Sequence, residues 1–245
     1  MISIYPDLEA LSQAAAGLVV EQCNLAIKPR ARFSMVLSGG STPRRTYELL
    51  GSPPYRDQIA WEKVHVFWGD ERCVPINDPH SNAKMAYEVL LDRVPIPRHQ
   101  IHPVVCSEDT SKAAKDYEGL LKTFFQDQPP RFDLVLLGLG GDGHTASLFP
   151  GTPVLKEDER WVSDIFVLGH DFQRITLTVP IINAAAAVAF LVSGSDKAQA
   201  LYEVREGAVN PELFPAQLIS PVDGRLIWLV DQKAAGHIQE DQEQV

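Results

Sequence analysis

Leu8, Leu11, Ala15, Leu18 and Val19 recur three and four residues apart between Asp7 and Glu21, which is the spacing of one helical face. Asp7 stands just before the first of them, at the position of an N-cap, so residues 7–21 predict an amphipathic helix. The pattern then changes period. Residues 33–37, 64–68 and 132–137 are short, nearly continuous apolar runs, each ending at Gly or Ser. Helical spacing returns between them over 43–50, 81–91 and 111–125. In the second half, 162–168, 175–179, 188–192 and 226–230 read as further strands, and 196–206 as a helix. Strands alternating with helices, and strands apolar at nearly every position, predict a mostly parallel sheet covered on both faces.

No internal repeat or linker-like change of composition interrupts residues 1–245, which read as one α/β domain. Pro53-Pro54, Pro95-Ile96-Pro97 and Pro129-Pro130 mark loops, and the polar tail 239–245 reads as frayed. The expected architecture is a three-layer α/β/α sandwich, in which ligands bind beyond the carboxyl ends of the parallel strands. The loops at those ends therefore carry the candidate chemistry.

The first such loop, Ser38-Gly39-Gly40-Ser41-Thr42-Pro43, leads directly into a helix. Glycine backbone, the hydroxyls of Ser41 and Thr42, and the positive end of the helix together suit a phosphate. The Gly-Lys-Ser/Thr ending of a P-loop is missing, and a tight turn with an ordinary cap would have the same composition. After the next strand come Gly69-Asp70-Glu71-Arg72-Cys73-Val74-Pro75. Here Arg72 is suited to a phosphate or carboxylate, and an acidic neighbour to a hydroxyl, although a solvated turn with internal ion pairs fits the same residues. The polar residues at 78–82 read as helix caps.

Gly138, Gly140 and Gly143 satisfy G-x-G-x-x-G after a strand, the outline of a dinucleotide loop. That reading requires the glycines to open a full helix packed on the sheet. Pro150-Gly151-Thr152-Pro153 follows too soon for more than a stub, so the stretch is better read as presenting His144. Histidine accepts a proton near neutral pH and suits a general base acting on water; Asp142, two residues earlier, is expected either to orient the ring or to hold the turn. Further on, Arg174 opens a strand, and Lys197 follows the strand 188–192 within Ser193-Gly194-Ser195-Asp196-Lys197, again glycine and serine at a helix start. Parallel packing would gather Ser41, Arg72 and Lys197 at one sheet edge as a basic pocket.

Composition narrows the partners. The chain carries 22 Lys and Arg against 32 Asp and Glu, for a formal net charge of −10, which argues against a broad nucleic-acid surface. An anionic ligand must then be small and locally held. The longest apolar stretch, 184–192, is far short of the roughly 20 residues that span a bilayer, and the first residues do not read as a secretion signal; a cytoplasmic location is expected. Cys23, Cys73 and Cys106 show neither a disulfide framework nor zinc-site spacing, and are expected as reduced thiols. No metal or cofactor site is read from the sequence.

Five segments appear in order: 38–43 (SGGSTP), 69–75 (GDERCVP) with 80–82 (HSN), 141–150 (GDGHTASLFP), 174–178 (RITLT) and 193–197 (SGSDK). This set resembles the 6-phosphogluconolactonase family, over nearly the whole chain and most specifically in the Asp-Gly-His block. Gly141 departs from the proline expected in many members. The resemblance implies a Rossmann-like fold shared with glucosamine-6-phosphate deaminase, and metal-independent hydrolysis of a sugar-phosphate lactone. It implies His144 as the base, within a catalytic set that includes Asp142 and Arg72. Substrate contacts would come from Gly39, Gly40, Ser41, Thr42, Asp70, Arg72, Arg174 and Lys197, the partner being a small sugar phosphate and the protein a monomer or small homo-oligomer. The deaminase motif places a glutamate where this chain has Phe149, an aromatic ring that cannot do a carboxylate's work. A sugar-phosphate-sensing domain of the same fold is the other alternative.

Overall fold

The helix capped by Asp7 starts at Leu8, and the Asp7 carboxylate accepts from Ala10 N at 2.9 Å. It continues past Glu21 to Arg30, because Val20, Cys23 and Ala26 prolong the buried stripe. Ala31 ends it in the left-handed region, at φ 55°. In this computed structural model, which describes residues 1–126, 128–169 and 171–238, the strands are β1 (Ile2–Tyr5), β2 (Phe33–Leu37), β3 (Val64–Trp68), β4 (Asp70–Arg72), β5 (Ile101–His102), β6 (Leu134–Leu137), β7 (Val162–Ile165), β8 (Arg174–Leu177), β9 (Ala187–Val192) and β10 (Arg225–Asp231). The helices are α1 (Leu8–Arg30), α2 (Ser41–Leu50), α3 (Asn82–Ala86), α4 (Thr110–Phe125), α5 (Val179–Asn183) and α6 (Ala198–Arg205). The expected frayed tail lies outside the described residues. Among those residues, no helix is long and apolar enough to cross a membrane.

Seven strands form one sheet in the order β1-β10-β9-β6-β2-β3-β5, and every neighbouring pair in it is parallel. The chain first builds outward through β2, β3 and β5, then returns to place β6 on the other side of β2. That reversal leaves a crevice above the ends of β2 and β6. Side-chain alternation puts the two faces of β3 against different helices. Phe67 meets Phe124 of α4, with ring centroids 4.8 Å apart, whereas Trp68 stacks on Tyr87 of the π-helical turn following α3. Helices thus cover both faces, as the apolar character of the strands requires.

Two buried tyrosines pin the strand ends that carry the cleft loops. Tyr47 of α2 accepts from Ser38 N at 2.9 Å and donates to Ser38 O at 3.0 Å. Tyr117 of α4 does the same at Trp68, at 2.9 and 3.1 Å. Each hydroxyl satisfies a backbone donor and acceptor that the sheet leaves unpaired where the strand gives way to its loop.

Three expectations need correction. Asp70–Arg72 is a strand rather than a loop, and 175–179 does not join the main sheet. Instead β4, β8 and β7 form a separate antiparallel sheet, pairing Asp70 with Thr176 and Arg72 with Arg174. The three cysteines are also not all reduced thiols. Cys73 and Cys106 form a disulfide with Cα atoms 5.1 Å apart. Because β3 and β5 are parallel neighbours, the chain leaves both at the same sheet end, bringing residues remote in sequence together. Cys23 is free and buried, its thiol pushed up to about 12 by desolvation.

Alkylation of unfolded protein prepared without reductant is expected to modify Cys23 alone, and all three cysteines after reduction. Modification of three thiols without reduction would remove the cross-link.

Candidate active site

The crevice predicted by the strand reversal is lined by the loops following β2, β6 and β9, three adjacent strands. From β2 come Gly39, Gly40, Ser41 and Thr42; from β6 come Gly140 and His144; after β9 comes Lys197. The small sheet adds Asp70, Arg72 and Arg174. Every residue expected to contact substrate therefore borders one cleft, while Asp142 stands behind His144.

His144 is held by its own turn. Its Nδ1 lies 2.5 Å from Asp142 Oδ1, and its backbone N–H donates to the same oxygen at 3.2 Å. Desolvation alone would raise the Asp142 carboxyl, but the hydrogen bond and charge of His144, with the backbone donors, outweigh it and set it at about 2. Asp142 is therefore an anion and can only accept, so Nδ1 carries the proton and Nε2 is the ring's basic nitrogen. Space for this pair comes from Gly140, where a Cβ would fall 2.1 Å from His144 Nδ1 and 2.6 Å from Asp142 Oδ1. The second glycine of the apparent dinucleotide motif thus makes room for an imidazole. Turns, not an α-helix, follow β6, which removes the dinucleotide reading.

The opposite wall concentrates positive charge. Helix α2 begins behind Gly40 with no side-chain cap and no acidic residue in its first turn, so its positive end faces the cleft unopposed. Arg72 and Arg174 are directly paired across the small antiparallel sheet, where like charges normally cost on the order of 0.2–1 kcal/mol. Arg72 gives one Nη1 bond to His80 O at 2.9 Å, yet the Nε of both arginines is buried without a partner among the described residues. Burial depresses the Arg174 guanidinium below its usual value; Asp70 counteracts this, and Arg72 reinforces it. Lys197 is partly satisfied by Asp196 at 3.0 Å.

Asn82 and Ser147, which the sequence did not assign to the site, complete the frame together with Ser81 and Glu71. Asn82, expected as a cap, instead donates from Nδ2 to Asp70 O at 3.0 Å and lines the cleft, lying so close over Gly39 that a Cβ there would fall 2.0 Å from its Oδ1. Ser81 is the cap of α3, accepting from Lys84 N at 3.1 Å. Ser147 Oγ donates to Asp70 Oδ2 at 2.7 Å, tying the His144 turn to the small sheet. Glu71 takes the backbone N–H groups of Asn82 and Ala83, both at 2.8 Å, anchoring the start of α3. In sequence Asn82 stood within the His-Ser-Asn segment of the family resemblance and otherwise read as a helix cap.

A family model described as "Glucosamine-6-phosphate isomerases/6-phosphogluconolactonase" matches residues 6–228. The chain is 43% identical over 243 residues to a 6-phosphogluconolactonase of Synechocystis sp., covering 97% of this chain and 98% of the relative. It is 40% identical over 241 residues to a 6-phosphogluconolactonase of Nostoc sp., with the same coverage. Its fold is similar to the solved 6-phosphogluconolactonase of Trypanosoma brucei, with a TM-score of 0.86, 29% identity and 98% of each chain covered.

Gly140→Ala is expected to push the imidazole off Asp142 while the chain still folds. The readout is the downfield Nδ1 proton resonance of the Asp142–His144 pair in proton NMR, and its persistence in the variant would contradict the close approach.

Proposed function

The chain belongs to the glucosamine-6-phosphate isomerase/6-phosphogluconolactonase family, and we propose that it hydrolyses 6-phospho-D-glucono-1,5-lactone to 6-phospho-D-gluconate in the oxidative pentose phosphate pathway, with His144 activating water. The observation that carries this reading is the Asp142–His144 pair opening on the same cleft as an uncapped helix start and three cations.

In the proposed reaction the phosphate docks against Gly40, Ser41 and Thr42 at the start of α2, with Lys197 and Arg72 supplying charge. The lactone carbonyl then lies beside His144. As water attacks C1, Nε2 takes its proton, and the imidazolium is stabilised by Asp142. Donors of the Arg72–Arg174 pair, or a backbone N–H, receive the charge that develops on the carbonyl oxygen. Collapse of the tetrahedral centre breaks the bond from C1 to the ring oxygen, which recovers the proton from Nε2. The product acid ionises. The enzyme is read as cytoplasmic, acting on a small sugar phosphate.

Phe149 bears on the choice between lactonase and deaminase. In sequence Phe149 stands at the motif position of the deaminase glutamate; its ring stacks on His144 at 4.1 Å, and the carboxylate bonded to this imidazole is Asp142. A sensor would bind the same ligand without turnover. Freshly made lactone, assayed above its spontaneous hydrolysis, separates enzyme from sensor, and release of ammonia from glucosamine 6-phosphate would instead mark a deaminase.

His144→Ala is expected to lower kcat by about 10²–10⁴-fold, the usual worth of a positioned acid–base group, with substrate still bound; near-normal turnover would end its role as base. Lys197→Ala is expected to raise KM by about 10-fold or more, since a hydrogen bond to a charged group contributes on the order of 1.5–3 kcal/mol. An unchanged KM would take Lys197 out of the phosphate pocket.

A further inference from the structure

Phe149 is 2% exposed, yet its ring touches two polar groups that line the cleft, the His144 imidazole and the Arg174 guanidinium. One face meets the His144 imidazole, with centroids 4.1 Å apart and planes inclined by 23°. The Arg174 guanidinium carbon lies 5.2 Å from the same ring's centroid. The turn from 144 to 149 is shaped to deliver this ring. Ala146 adopts the left-handed region at φ 48°, a conformation unfavourable for a residue with a Cβ. Thr145 and Leu148 bridge across the turn. Ser147 N donates to Thr176 Oγ1 at 3.2 Å, and Ser147 Oγ to Asp70 at 2.7 Å, fixing the turn to the small sheet. Beyond it, Thr152 Oγ1 donates to Phe149 O at 2.6 Å. Strain kept in place by surrounding bonds is a mark of a functional turn.

We infer that Phe149 is a positioning residue, whose ring sets the plane of the His144 imidazole and separates it from the Arg174 guanidinium. This rests on the proposed role of His144 as the base. Asp142 restrains the ring at its Nδ1 edge, and the flat face of Phe149 further limits its tilt about the Cβ–Cγ bond. Stacked aromatic pairs contribute a modest attraction beyond area burial, and their larger effect here is directional. Nε2 is held toward the cleft, where water must sit.

The second consequence is electrostatic. The charged groups around the imidazole are Asp142 on its own turn, Arg174 on β8, and Arg72, Asp70 and Lys197 around the cleft. The Phe149 ring contacts both His144 and Arg174, and Asp142 is the group hydrogen-bonded to the imidazole. Were the ring absent, the guanidinium would approach the imidazole and disfavour its protonated form.

The test compares Phe149→Leu, which keeps apolar bulk without a flat face, with Phe149→Tyr, which keeps the face. Thermal unfolding establishes that each is folded, and Phe149→Met replaces the leucine variant if that does not fold. For Phe149→Leu, kcat on 6-phosphogluconolactone is expected to fall about 10- to 100-fold, the penalty of a misplaced group, with KM within about twofold because the phosphate cradle is untouched. The acid limb of the kcat/KM profile should move to lower pH. Nitrogen NMR of His144 should change from one dominant tautomer to a mixture. Phe149→Tyr should restore kcat to within a few-fold of the parent and retain the single tautomer. Unchanged kcat in Phe149→Leu, or a fall in kcat with neither the pH limb nor the tautomer altered, would overturn the inference. The NMR comparison does not depend on turnover. A parent protein inactive on the lactone therefore sinks the functional reading, while the inference about Phe149 is still decided by the imidazole spectra.

Discussion

Asp70 is 6% exposed, and its carboxylate accepts from Ser147 at 2.7 Å, with Arg174 Nη1 3.9 Å away and the Asn82 amide bonded to the Asp70 backbone carbonyl. Taking a carboxylate out of water costs several kcal/mol unless its oxygens are matched by donors and opposing charge. Those donors come from three remote segments: the start of α3, the turn after β6, and β8. None of these segments can move alone without stranding the charge. The main sheet alone would leave the His144 turn and the small sheet unconnected, and the buried Asp70 joins them into one wall.

That constraint explains how an acidic protein offers a basic cleft. A formal charge of −10 repels a phosphorylated sugar at long range, so attraction must be local and sheltered. Pairing Arg72 with Arg174 across two strands concentrates positive charge at a cost in stability, which Asp70 offsets from behind. The positive end of α2 and Lys197 add to the same side. Asp142 draws on the opposite logic, because its negative charge is kept beside the imidazole rather than toward the anion. The cleft thus sets a cationic wall apart from a histidine–carboxylate pair.

The glycines around the cleft read differently once their neighbours are known. In sequence, Gly138, Gly140 and Gly143 imitate a dinucleotide loop, and only the prolines downstream argue otherwise. In space, Gly140 is small because His144 and Asp142 occupy the volume that its side chain would take. Gly39 yields in the same way to Asn82. Both positions show close approach between a backbone and a functional side chain, which a motif alone cannot distinguish from close approach to a pyrophosphate.

The strands β2, β3 and β9 were legible because parallel strands buried on both faces are apolar at almost every position, and the Asp7 cap was legible because helix ends have local chemistry. The candidate site was legible as a set of loops: Ser41, Arg72, His144 and Lys197 each follow an apolar run, and the parallel topology implied by those runs puts their ends together. Other features had no local signature. β4 consists of Asp70-Glu71-Arg72, which no hydrophobic period can mark, and it is a strand only because β8, about a hundred residues later, pairs with it. Asn82 resembled a cap, and Cys73 and Cys106, 33 residues apart, resembled isolated thiols. Periodicity and capping record what a residue does with its near neighbours along the chain. Which buried charge is matched, which cysteine finds a partner and which ring lies against the imidazole depend on contacts between distant segments, and only the packed tertiary structure decides those.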